Sequence, residues 1–219
     1  MLEGQIDLDY SIVAFVDILG FSNMVKSDCE NKSGSTRYFE ILREVNKETC
    51  EIGECSITQF SDSVIFALPL SQDNYIKMIE ILANYQRRLL YHSIICRGAI
   101  AYGKHYKEND FMFSQALIEA YQLESKSATY PRIVISENLL EYFKPLAHEV
   151  PHLLREKDGF YFVDYLEDAD KDQSRSHLTE FNYTLPHQSL SVKEKYYWLY
   201  KYWEYKFNEQ LPFSVPQFS

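Results

Sequence analysis

Hydrophobic and polar positions along this chain follow two alternating periods, one of strands and one of helices. The stretch "IVAFVD" (12–17) is an apolar, partly β-branched run that closes on one carboxylate, which predicts a buried strand ending at Asp17. A helical stretch begins near Phe21, and after the polar break "SDCENKSGS" a second helical pattern runs from Thr36 to Thr49. "CSITQFSDSVIFALPL" reads as a hairpin whose runs, 55–60 and 63–68, meet at Ser61-Asp62. Ile76, Ile79, Leu82, Ala83, Leu89 and Leu90 recur at helical intervals and predict an amphipathic helix from Asn74 to His92. "IICRGAIAYG" (94–103) predicts a strand with a glycine at its far end, followed by a polar loop. The remaining pattern is a helix over 114–125, a strand over 132–136, a short helix in "ENLLEYF" and a last strand in "FYFVDYL" (160–166).

This order implies an α+β fold, an antiparallel-rich sheet with helices on one face. Residues 1–166 form the expected main domain and 167–219 a linker with a C-terminal helical extension, the linker being "EDADKDQSRS" (167–176). The tail "SVKEKYYWLYKYWEYKFNEQ" opens with a capping-box pattern, Ser191 to Glu194, and continues as an aromatic helix expected to pack on the body or on a second subunit. Its lysines are mixed with Glu194 and Glu204 rather than gathered on one face, which argues against a membrane-surface helix.

With 219 residues and 46% hydrophobic content the chain can bury a sizeable core. It has no apolar run long enough to span a bilayer, and its first residues lack the cationic start of a secretory leader, so a cytoplasmic protein is expected. The four cysteines have no paired zinc spacing and read as reduced structural thiols. A net charge of −10 argues against nucleic acid as a partner. It leaves room for one nucleotide held through metal ions, a state that carboxylates favour.

Asp17 and Asp62 are the two carboxylates isolated at strand ends or turns. At about 4 Å they would repel by roughly 4 kcal/mol at an intermediate dielectric. A divalent cation reverses that sign, and Mg²⁺ is commonly held by one or two carboxylates plus phosphate oxygens. Spacing alone fits solvated turn aspartates as well. Arg97, on its predicted strand, reads either as a salt-bridged structural residue or as a phosphate or interface residue. "HEVPH" (148–152) matches the zinc-protease pattern H-E-x-x-H, but Pro151 breaks the helix that pattern needs, so zinc hydrolysis is rejected. No phosphate-cradling glycine loop of either familiar type, G-x-x-x-x-G-K-[ST] or G-x-G-x-x-G, is present.

"FVDILGFS" resembles the first metal motif of class III nucleotide cyclases, "ITQFSDSVIF" the second, "CRGAIAYG" their Arg-x-Gly strand and "ALIEAYQLES" their Ala-x-x-Leu-Glu helix. The four occur in the family's order over about residues 12–166. Among class III enzymes, the "DILGF", "FSD" and "AYxLE…PRIVI" pattern resembles the bacterial pyrimidine cyclases of the Pycsar antiphage systems. The resemblance implies a palm-type, ferredoxin-like sheet and two divalent ions, Mn²⁺ or Mg²⁺, on Asp17, the Ile18 backbone and Asp62. It assigns Arg97 to catalysis and Gly20, Phe21, Ser22 and Lys157 to substrate binding. A lysine that reads the purine in purine cyclases is replaced here by Thr58, and Phe111 or Phe113 is the expected wall against a small base. It further implies a homodimer with its sites at the interface, UTP or CTP as substrate, and a separate effector activated by the cyclic product. On an ungapped match the family's transition-state Asn and Arg are Ile118 and Gln122, which leaves open a catalytically silent nucleotide-binding module on the same fold. A palm-type polymerase or diguanylate cyclase is disfavoured because G-G-[DE]-E-F is missing.

Overall fold

The computed structural model describes residues 8–53, 55–146 and 150–213. Among these residues eight strands, β1 (Asp9–Ile18), β2 (Ser56–Phe60), β3 (Ser63–Pro69), β4 (Cys96–Glu108), β5 (Phe111–Ser114), β6 (Ile133–Ile135), β7 (Leu153–Arg155) and β8 (Tyr161–Val163), form one sheet. Their order is β2-β3-β1-β4-β6-β8-β7, with β5 added to the far end of β4. All pairs are antiparallel except β4 with β6. The helices are α1 (Phe21–Glu30), α2 (Arg37–Gly53), α3 (Gln72–Leu90), α4 (Gln115–Ser127), α5 (Glu137–Tyr142), α6 (Lys171–Thr184) and α7 (Leu190–Phe207).

Strand alternation sends Ile12, Ala14, Val16 and Ile18 into the main core, where they meet the apolar stripes of α2, α3, α6 and α7. Val13, Phe15 and Asp17 therefore point to the opposite face. There α4 lies across the sheet, with Tyr121 edge-on to Phe15 at 5.3 Å between ring centres. Side-chain caps set several helix starts: Ser71 accepts from the Asn74 amide, Ser114 from Leu117 and Asp170 from Gln173. No helix among the described residues is long and apolar enough to cross a membrane.

The C-terminal segment shares the core of the sheet. Trp203 is fully buried, Trp198 stacks on Tyr130 at 5.7 Å, and the Tyr202 hydroxyl accepts from the Leu166 amide. Four expectations change. Helices were expected on one face, but α4 covers the second face of the sheet. Residues 171–176, read as linker, open α6, because Asp170 caps a helix whose apolar positions, Leu178 and Phe181, lie beyond the charged run. α7 starts at Leu190, so Ser191 lies inside the first turn, where its hydroxyl and carbonyl accept from Lys195 instead of forming the capping box. β4 continues to Glu108 and hairpins into β5, where a polar loop was expected.

Candidate active site

The β2-β3 hairpin turns at Ser61-Asp62, with Ser61 in the left-handed region at φ 58°. β1 pairs with β3 so that Asp17 stands opposite Ser63, and the Ile18 amide donates to the Asp62 carbonyl at 2.9 Å. That bond brings the two isolated aspartates to one edge of the sheet. Beyond Asp17 the chain turns through Gly20, which sits at φ 79° with open space around it, and enters α1 at Phe21 and Ser22. Glycine is needed there for backbone conformation rather than for room.

Asp17 and Asp62 are half-buried, and with the Ile18 carbonyl they place hard oxygen donors along this edge of the sheet. Among the described residues no group of three or more His, Cys, Asp or Glu side chains could hold a metal. Two carboxylates and a carbonyl fit a Mg²⁺ or Mn²⁺ ion that keeps places for water or phosphate. They do not make a closed structural cage.

Asp17 also stands opposite Arg97 on β4. The Arg97 Nε donates to Asp17 Oδ2 at 3.0 Å, and Nη1 donates to the Ala128 carbonyl at 3.3 Å. Glu124 Oε1 lies 2.8 Å from the same Nε, in ion-pair range, yet no donor points at it. Glu124 is 3% exposed; burial pushes its carboxyl above the usual range, Arg97 opposes that shift and Asp17 reinforces it. On α7, desolvation and then Arg97 push Lys195 below the usual lysine range, while Glu194 and Asp17 act the other way.

Register carries Phe60, Thr58 and Ser56 onto the face that holds Asp17, Phe15 and Arg97. The β4-β5 hairpin curls back to this face, and Lys107 donates to Thr58 Oγ1 and, at 3.2 Å, to Ser56 Oγ. Lys107 stands opposite Met112, whereas Phe111 and Phe113 pair with Glu108 and Tyr106 on the other side of the hairpin. Phe111 and Phe113 are each 61% exposed and project from the side of this hairpin opposite to Lys107, a consequence of the period of two along β5. A groove of about 650 Å³ opens behind the Ser61 turn, lined in part by Phe21, Met24, Tyr38, Gln59 and Ser61, but neither aspartate is in its wall.

No family model matches the chain, and no curated protein matches it in sequence. Solved structures do match. The catalytic core of a rhodopsin-guanylyl cyclase with converted specificity, in complex with ATPalphaS, aligns with TM-score 0.51 and 15% identity over 74% of this chain and 98% of that one. The guanylate cyclase domain of RhGC from Catenaria anguillulae, in complex with GTP, gives 0.50 and 13% over 71% and 96%. An adenylate/guanylate cyclase/hydrolase from Silicibacter pomeroyi gives 0.50 and 16% over 72% and 96%. The chain has the class III nucleotide cyclase fold. Identities this low establish the fold alone.

On this cyclase fold Ile118 and Gln122 are exposed on α4, on a different side from the buried Ala116, Ala120 and Glu124. Lys157 is exposed in the β7-β8 turn and lines a groove of about 360 Å³ with Trp198, Lys201 and Tyr205; none of Asp17, Asp62 and Arg97 is in that lining. Of the zinc-like motif, His148 and Glu149 lie outside the described residues, and the His152 Nε2 sits 3.3 Å from Asp168. Sequence reasoning missed Glu124 and Lys107. A carboxylate in line with two alanines at intervals of four marks Glu124; no local signal marks Lys107, because its contact spans 49 residues.

Proposed function

We propose that this chain is a nucleotide cyclase that converts UTP, and less readily CTP, to the 3′,5′-cyclic monophosphate and pyrophosphate, as a second messenger in antiphage defence. The observation that carries this reading is the edge where Asp17, Ile18 and Asp62 meet on a cyclase fold, joined by the 2.9 Å backbone bond. In the reaction the ribose 3′-oxygen bonds to the α-phosphorus, the bond from that phosphorus to the pyrophosphate oxygen breaks, and the hydroxyl proton leaves. Asp17, the Ile18 carbonyl and Asp62 would hold divalent ions, which would supply the Lewis acidity that this displacement requires. The chain's own part is to orient and neutralise. Arg97 faces the phosphates, and the Gly20-Phe21-Ser22 turn offers backbone amides at the amino end of α1. Lys157 is assigned to the triphosphate by resemblance alone.

Base choice rests on Thr58 and on the lysine that reaches it. An ammonium only donates, so Lys107 suits the 4-carbonyl of uracil better than the 4-amino group of cytosine. A homodimer is supported by apolar side chains on and around the α4 face of the sheet, with Phe60 at 81% exposed, Ile118 at 60% and Tyr121 at 55%. Sedimentation of the purified chain tests it, and an active monomer at assay concentration contradicts it. The product would act on a separate effector.

Ile118 and Gln122, standing where purine cyclases place polar transition-state groups, favour a second reading, a silent nucleotide-binding module. Incubation with each of the four nucleoside triphosphates and Mn²⁺, with cyclic products measured by mass spectrometry, separates the two. Cyclic UMP as the main product supports the first reading. ATP turned over as fast as UTP removes the pyrimidine assignment, and product from none of the four leaves the silent module.

A further inference from the structure

We propose that Arg97 is a latch on the metal site: it occupies Asp17 while the site is empty, and the buried Glu124 retains it once a divalent cation takes Asp17 over. This rests on the reading of Asp17 and Asp62 as metal ligands. The geometry that motivates it is a donor shared between two acids. The Arg97 Nε lies 3.0 Å from Asp17 Oδ2 and 2.8 Å from Glu124 Oε1, but its single N–H is aligned only with Asp17. Glu124 Oε1 is left buried with no donor, an unfavourable state for a carboxylate oxygen.

A small rotation of the guanidinium would satisfy Glu124. Both acids compete for this one N–H, and a dication at Asp17 would cancel and then reverse the aspartate's share of the attraction. The Ala128 carbonyl, 3.3 Å from Nη1, keeps the head beside the site during the exchange. Arg97 therefore moves a short way within the site, free to meet the phosphates that arrive with the metal. The other groups facing this cluster are Ser125, which donates to Glu124 Oε2 at 3.2 Å, and Lys195 of α7, whose charge acts on both Arg97 and Asp17. Glu124 acts through Arg97 and is a positioning residue.

Mn²⁺ binding to the full chain without nucleotide, read from the loss of the free-ion paramagnetic resonance signal, tests the latch apart from turnover. Arg97→Gln should tighten Mn²⁺ about tenfold by removing the competing cation, and Glu124→Gln should weaken it several-fold by leaving Asp17 as Arg97's only acid. The double variant should bind as Arg97→Gln does. A double variant weakened by the same factor as Glu124→Gln alone, or an Arg97→Gln no tighter than wild type, overturns the latch. Should Glu124→Gln not fold, Glu124→Asp withdraws the carboxylate by one methylene and carries the same expectation. Asp17→Asn is the control: undiminished Mn²⁺ binding there refutes the metal reading itself, a result distinct from failure of the latch.

Discussion

Alanine at position 98 would drive a methyl group into the backbone joining the two central strands of the site. An added Cβ would stand 2.4 Å from the Phe15 carbonyl oxygen, 3.2 Å from Val16 Cα and 3.3 Å from Ile133 Cγ1. The first neighbour is main chain, so no side-chain rotation relieves it. Carbon-oxygen contacts settle near about 3.3 Å, so β1 and β4 would have to part by roughly 1 Å there. Overpacking on that scale costs about 1–3 kcal/mol. A loss of about 2 kcal/mol lowers the melting temperature of a chain this size by roughly 4–8 °C. Gly98 directly follows Arg97, so the same displacement lengthens the Asp17–Arg97 contact and weakens the site as well as the fold. Urea unfolding followed by the fluorescence of Trp198 and Trp203, both packed in the core region, reads the stability change. A Gly98→Ala midpoint within about 0.5 kcal/mol of wild type would refute the close-approach argument.

Trp203→Ala should cost about 3–5 kcal/mol, because it empties a fully buried site and strips Ser174 of the indole N–H that donates to it at 2.8 Å; an unchanged urea midpoint contradicts this. Lys107→Ala should lower the UTP-to-CTP ratio several-fold in a competition assay, and an unchanged ratio removes Lys107 from the base site. Burial pushes the Cys96 thiol far above its ordinary range, and burial with the neighbouring Cys50 raises Cys55 to about 11, while Cys29 is exposed. Iodoacetamide at neutral pH, followed by peptide mass spectrometry, should therefore modify Cys29 first and leave Cys96 intact until the chain unfolds. Early labelling of Cys96 contradicts the burial argument.

Much of the fold was legible because its strands bury unbroken apolar runs. "IVAFVD" could be little but an interior strand, and the lone Asp17 at its end marked a candidate site. The β2-β3 hairpin was legible for the same reason. Elements that carry their polar side outward were harder. The end of β4, "KHYKE", and its partner β5 form a half-exposed arm, whose alternation is diluted by charge and by the Asn109-Asp110 turn. α6 begins inside a charged run because Asp170 is its cap, so composition read a helix start as a linker. At the site, Asp17 and Asp62 could be paired from strand order, but Lys107 on Thr58 depends on how far the arm curls, which no local pattern encodes. Glu124 was within reach. It sits on the buried stripe Ala116-Ala120-Glu124, and a carboxylate on such a stripe needs a cation, here Arg97.

Under the proposed function, Asp17 and Asp62 together make this fold a working cyclase. The most direct test is the rate of cyclic UMP formation from UTP and Mn²⁺ by wild type, Asp17→Ala and Asp62→Ala, with folding and assembly of each confirmed by circular dichroism and sedimentation. Wild type should turn UTP over, and each variant should fall below about a tenth of that rate, a barrier rise of more than about 1.4 kcal/mol. A folded Asp17→Ala or Asp62→Ala chain that keeps more than a tenth of wild-type activity would contradict the account.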